Sequence, residues 1–260
     1  MSVLQHFLFL AAVAIATYVQ TLTGFAFGLV LLGIAGVLHL APLPDVANAV
    51  SVLVLANALV IFARARVGVS WRVLGPALAS SLAGVWLGVR LLSWLDGHAV
   101  EVLRGLLGCA IVACALLLVV QARPRPRISG APSFVFFGGL GGVMGGLFSS
   151  AGPPIVFHFY RQPLTQDAIR SSLIVLFAAN AVVRLALVHH QGGFQPLSLA
   201  LSLEALPVVV LLTWLARRFP PRWSVQAVRR AVFVLLMAAG LGLALPSTPL
   251  LLGYLPVWHQ

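Results

Sequence analysis

Two stretches of this chain begin like membrane helices and stop part-way, and they occupy matching places in its two halves. The first is Tyr18 to Gly28, YVQTLTGFAFG; the second is Gly138 to Tyr160, GGLGGVMGGLFSSAGPPIVFHFY. Lipid offers no partner to a free N–H or C=O, so a broken helix at membrane depth must face protein or a water-filled cavity. Broken helices in corresponding positions of two halves point to a binding site at the bilayer midplane of a transporter. No other feature restricts the possible folds as strongly.

The rest of the chain supplies the membrane context. Of its 260 residues, 61% are hydrophobic and 8% are charged, with a mean hydropathy of +1.06. A soluble domain carries about 25% charged residues. Apolar runs fall at 4–20, 25–40, 45–62, 72–93, 100–120, 133–150, 154–160, 168–189, 196–216 and 227–245. Several reach the ~20 residues needed to cross a bilayer. The expectation is an all-α polytopic membrane protein with no separate soluble domain. Met1 to His6 lacks Lys and Arg, so the N-terminal run reads as a retained membrane segment rather than a signal peptide.

The net charge of +11 does not indicate nucleic acid. All sixteen cations are arginine and they cluster at the ends of apolar runs, which is an orientation signal. Cys109 and Cys114 are five residues apart in one apolar run, with no metal or disulfide spacing, and read as packing residues. There is no nucleophile elbow, HExxH, P-loop or dinucleotide fingerprint, so no enzyme, cofactor or metal is expected.

The halves read as a repeat. Asn57-Ala-Leu-Val matches Asn180-Ala-Val-Val at an offset of 123, and Trp71 and Phe194 open the next helix at the same offset. Val102-Leu-Arg104 and Val228-Arg-Arg230 open the last helix of each half at an offset of 126. The first repeat is expected over 1–121 (hairpin 4–40, helices 45–62, 72–93 and 100–120). The basic linker QARPRPRISGAP follows, at 122–132 in this division. The second repeat is expected over 133–260 (hairpin 133–160, helices 168–189, 196–216 and 227–245).

Charge decides the threading. Residues 4–40 are too many for one crossing at ~1.5 Å per residue. If each broken segment enters and returns, every half crosses three times and the second half is inverted. Thirteen arginines then lie on one face, and only Arg90, Arg104 and Arg184 on the other. Single crossings would split them seven to nine. The asymmetric split is the positive-inside pattern. It places the linker in the cytoplasm and both termini in the periplasm of a bacterial inner membrane.

The candidate chemistry sits at the breaks. Pro153 and Pro154 have no N–H for the carbonyls of Ser149 and Ser150. A half-helix starting near Ile155 would then present free N–H groups and a positive dipole end to an anion. Gly24 and Gly28 would turn the first hairpin, with Gln20, Thr21 and Thr23 as polar groups. Gly138, Gly142 and Gly146 fit close helix packing equally well; Gly152-Pro153-Pro154 does not, because packing needs no double proline. Asn57 and Asn180 lie mid-helix, where they either line the site or bond between helices. Glu204 lies well inside an apolar run. It is a candidate proton carrier, or a partner of Arg184. His158 and Tyr160 follow the break, and a lone His there is more often a hydrogen-bonded structural residue.

Gly24-Phe-Ala-Phe-Gly28-Leu-Val, GGLFSSAGPPIVFHFY and Ile169-Arg170-Ser-Ser-Leu resemble the sulfite exporter TauE/SafE family of bacterial membrane transporters, over nearly the whole chain. Members are implicated in moving sulfite, sulfoacetate and related anions. The resemblance implies that the two hairpin tips meet to form the site, and it carries over Gly24, Phe25, Gly28, Gly152, Pro153 and Pro154. Ser149-Ser150-Ala151 and His158-Phe159-Tyr160 depart from the family pattern, at positions that bear on substrate choice. The combined expectation is an inner-membrane carrier of a small anion, working by alternating access as the repeats rock, with proton coupling and with a homodimer as the candidate assembly. A passive anion channel and a membrane scaffold without flux are the alternatives.

Overall fold

The computed structural model describes residues 2–23, 25–63, 68–98, 100–119, 125–150, 153–218 and 225–253. These form ten helices and no strand: α1 (Val3–Thr23), α2 (Phe27–Val37), α3 (Leu43–Phe62), α4 (Trp71–His98), α5 (Val100–Val119), α6 (Ala131–Phe148), α7 (Pro153–Tyr160), α8 (Gln166–His190), α9 (Pro196–Arg218) and α10 (Val225–Gly253). Among the described residues, six helices are long and apolar enough to cross a membrane, namely α1, α3, α4, α6, α8 and α9. Large apolar side chains face outward, among them Phe7, Leu59, Trp86, Leu203 and Leu211. Such an exterior suits lipid, and the chain is a multi-pass membrane protein.

Local chemistry sets the helix ends. Thr165 caps α8 by accepting from Ala168 N–H at 3.3 Å. Pro44 and Pro132 lie in the first turns of α3 and α6, where a missing N–H costs nothing. The second break is tighter than the sequence suggested. α6 stops at Phe148, Ser149 turns left-handed at φ 53°, and α7 begins at Pro153 itself rather than near Ile155. A proline fits the first helical position, so the double proline starts the half-helix instead of preceding it. The first break mirrors this, with Ala26 left-handed at φ 78° immediately before α2.

The long arm of each broken segment is longer than a hairpin limb needs to be. At ~1.5 Å per residue, α1 and α6 each run about 27–31 Å, whereas α2 and α7 run about 16 and 12 Å. In the second segment the two ends come back together. Ser129 N–H donates to Gln162 Oε1 at 2.9 Å, Arg125 N–H donates to Arg161 O at 2.8 Å, and Ser133 Oγ lies 3.2 Å from His158 Nε2.

The halves interlock. α6 packs along α4 as α1 packs along α9, α3 meets α9 as α8 meets α4, α2 meets α10 as α7 meets α5, and α5 lies against α10. The α4–α6 seam is a backbone contact. A Cβ on Gly138, Gly142 or Gly146 would come within 2.1–2.4 Å of atoms of Ser80, Ser81 or Val85, and one on Gly84 or Gly88 within 2.4 Å of α6 carbonyls. These glycines therefore serve close packing. One hydrophobic core gathers α1, α2, α3, α5, α9 and α10 with Leu92 and Leu95 of α4, Leu147 and Phe148 of α6 and Ala181 of α8, and a second gathers α4, α7 and α8 with Phe134 of α6. Phe25 and Phe177 touch both cores.

Candidate functional site

The two breaks meet. A Cβ on Gly28, in the first turn of α2, would lie 3.0 Å from Ser150 Cβ and 3.4 Å from Ser149 O. A cavity of about 20 Å³ lies between them, lined by Gln20, Phe25, Ala26, Phe27, Gly28, Leu29, Val54, Ser149, Ser150, Val156 and Phe177. A space of ~10–15 Å³ on this measure admits one water. A molecule larger than water would fit there only if the tips parted.

Two helix starts border this cavity. Phe27, Gly28 and Leu29 form the first turn of α2, and Val156 belongs to the first turn of α7. First-turn N–H groups have no intrahelical acceptor and carry the positive end of the helix dipole. Pro153 and Pro154 contribute none, so Ile155 and Val156 supply the first N–H groups of α7.

Of the residues singled out in the sequence, Gln20, Phe25, Gly28, Ser149 and Ser150 line this cavity. Pro153 and Pro154 open α7 beside it. Gly24 and Gly152 lie outside the described residues, as do the side chains of Thr21 and Thr23 in the last turn of α1. The remaining candidates sit elsewhere. Asn180 is buried and bonds Ser81 twice, accepting from Oγ at 3.1 Å and donating to it at 2.7 Å. Asn57 is buried and accepts from Thr213 Oγ1 at 3.2 Å. Both amides tie a helix of one half to a helix of the other.

His158 is buried between Phe137, stacked at 4.5 Å, and Phe134, edge-on at 4.7 Å, with Ser133 as its hydroxyl partner. Tyr160 packs against the second core. Glu204 does not reach Arg184. Its Oε2 lies 2.7 Å from His6 Nδ1, in a half-exposed pair between α9 and α1.

Arg184, counted above with the outer-face arginines, is completely buried. Its Nε donates to Gly146 O at 2.9 Å, at the end of α6, and its Nη1 donates to Asn48 Oδ1 at 2.9 Å and Ser51 Oγ at 3.2 Å. Ser51 Oγ in turn bonds Ser149 Oγ at the hairpin tip. Asn48 donates to Ser198 Oγ at 3.1 Å, and Ser198 Oγ donates to Asp45 Oδ1 at 2.6 Å. This polar string runs from α8 through α3 to α9. One sequence signal pointed to it, because Arg184 lies within the apolar run 168–189 and an intramembrane cation calls for a functional account.

The family model described as Sulfite exporter TauE/SafE matches residues 8–243. The "Probable sulfite/organosulfonate exporter TauE" of Cupriavidus necator is 36% identical over 237 residues, 91% of this chain and 93% of that protein. The "Probable inner membrane transporter protein TsaS" of Comamonas testosteroni is 31% identical over 182 residues, 67% of this chain and 72% of that protein. No solved structure matches. With the family match spanning nearly the whole chain and both broken segments falling inside it, the chain belongs to the sulfite exporter TauE/SafE family.

Proposed function

We propose that this protein carries a small anion, a sulfite, an organosulfonate or a carboxylate, across the bacterial inner membrane, binding it where the two hairpin tips meet. The observation that carries this reading is the contact of Gly28 with Ser149 and Ser150 around a cavity bordered by the starts of α2 and α7. Two positive helix ends at one cavity suit an anion. The names of the two relatives support the substrate class. The water-sized cavity favours a carrier that opens and closes over a standing channel. On this reading access alternates between the two sides, and the halves are inverted repeats with both termini in the periplasm. Interlocking of the halves and the arginine asymmetry support that arrangement. Glu204, paired with His6, is the proposed proton carrier.

The test is flux of labelled sulfite, sulfoacetate and acetate into proteoliposomes, with and without a pH gradient. Accumulation of one anion against its gradient is the expected result. Ser150→Asp puts a negative charge beside Gly28 and is expected to abolish that flux. A normally inserted Ser150→Asp protein with unchanged flux would sink the site assignment.

A further inference from the structure

Among the described residues, a charged side chain, Arg184, heads the largest that are completely buried. A guanidinium has five N–H groups and no acceptor. Nε and Nη1 of Arg184 are used on Gly146 O, Ala47 O, Asn48 Oδ1 and Ser51 Oγ. Nη2 is buried and has no hydrogen-bond partner among the described residues. None of the four acceptors is a carboxylate. Asp45 is reached only through two further hydrogen bonds, by way of Asn48 and Ser198. A buried charge with neutral partners and an unused N–H pair is costly to a fold.

The same cluster ends at the tip cavity. Ser149 Oγ bonds both Ser51 Oγ and Ala47 O, the groups that Arg184 Nη1 also holds. Ser149 lines the cavity and sits at φ 53°, a conformation that costs a non-glycine residue energy and persists only when its surroundings hold it. A fixed positive charge therefore stands one hydroxyl behind the cavity wall.

We propose that Arg184 is the cation that pairs with the transported anion, reached from the tip cavity past Ser149. The proposal rests on reading that cavity as the anion site. It also narrows the substrate class. A planar guanidinium edge matches two oxygens of one sulfonate, sulfite or carboxylate group, so such oxyanions bind in preference to a halide.

The test uses purified full-length protein in detergent, titrated with sulfite and with sulfoacetate, following the thermal midpoint to obtain an apparent Kd. Arg184→Gln is expected to weaken binding about 10- to 100-fold, the range for one charged hydrogen-bonded contact. Arg184→Lys should fall between that variant and the parent. Asn48→Asp gives Arg184 an internal carboxylate, so it is expected to weaken anion binding to a similar degree while the protein stays folded. A purely structural Arg184 predicts unchanged anion affinity in Asn48→Asp. That result, or unchanged affinity in folded Arg184→Gln, overturns the proposal and leaves the carrier reading standing. If Arg184→Gln does not fold, Asn48→Asp decides alone. A parent protein that neither anion stabilises overturns the carrier reading and this proposal together.

Discussion

Gly142 and Gly139 are three residues apart on α6, and the structure predicts opposite responses to the same added methyl group. At Gly142 a Cβ would lie 2.1 Å from Ser81 O and 2.8 Å from Ser81 C and Cα. The first distance is about 0.9 Å inside the 3.0 Å limit that Cβ contacts respect. Both sides of this contact are helix backbone, so no rotamer change relieves it and α4 must move away from α6. A gap of ~0.5–1 Å forfeits a quarter to a half of each van der Waals contact along the seam. Overpacking costs ~1–3 kcal/mol, and a backbone-on-backbone clash belongs in the upper part of that range. At Gly139 a Cβ meets nothing within 4 Å. The gain in helix propensity on replacing glycine, ~0.5–1 kcal/mol, applies at both sites and cancels in the comparison. Gly142→Ala is therefore expected to unfold about 2–3 kcal/mol more easily than Gly139→Ala, with Gly139→Ala at or slightly above the parent. Reversible unfolding in mixed micelles of increasing SDS content measures this directly. Equal midpoints for the two variants would refute the seam as a backbone contact.

Three further outcomes test other parts of the structure. Ser81→Ala and Asn180→Leu each remove one side of a doubly bonded pair; each is expected to cost ~0.6–2 kcal/mol, and the double variant should cost less than their sum in the same unfolding assay. Glu204→Gln is expected to remove the pH-gradient dependence of flux while anion exchange at equal pH continues, and gradient-driven flux at the parent rate would end the proton-carrier role. With Cys109 and Cys114 replaced by serine, a Gly28→Cys, Ser150→Cys pair has Cβ positions 3.0 Å apart, close to the ~3.5–4.5 Å of a disulfide. Oxidation should stop flux and reduction should restore it, whereas flux through the oxidised protein would show that the tips need not part.

What could be read from the sequence was what the backbone must do in lipid. Gly24 and Gly28 permit a turn and the Pro153-Pro154 pair removes two helical N–H donors, and the observed breaks fall between Thr23 and Phe27 and between Phe148 and Pro153. Apolar runs located the helices because crossing a bilayer takes ~20 consecutive apolar residues. Partner choice was not readable. Ser81 and Thr213 are ordinary hydroxyls in apolar helices, yet they are what satisfies Asn180 and Asn57. His6 meets Glu204 across 198 residues of chain. The burial of Arg184 was unreadable for a different reason. The positive-inside rule treats every arginine as a marker of a membrane face, but it does not apply to a cation inside the bundle. Asn48 stands in an Ala-Asn-Ala triplet that Asn180 repeats, but neither it nor Ser51 names in sequence the cation it holds.

The interlocking of the halves bears on how the tip cavity can open. A sequence repeat suggests two bodies, one per half, that rock against each other. In the structure the long arm of the second hairpin, α6, is locked by backbone contact to α4 of the first half. The long arm of the first hairpin, α1, lies on α9 of the second, and α5 and α10 meet at Gly108 and Gly240, where an added Cβ would fall within 3 Å of the opposing backbone. Rocking the halves apart would break these backbone contacts first. The tip-to-tip contact is different in kind. It consists of one glycine face against two serines, around a space already large enough for a water. It is held by Ser149, whose left-handed conformation depends on hydroxyl bonds to Ser51 and Ala47. Hydroxyl bonds of this kind are worth ~0.5–1.5 kcal/mol each, within reach of a ligand that supplies replacement partners, and separating a glycine seam costs more. On the proposed function, the short arms α2 and α7, rather than the halves, are the parts that an entering anion would move at least cost.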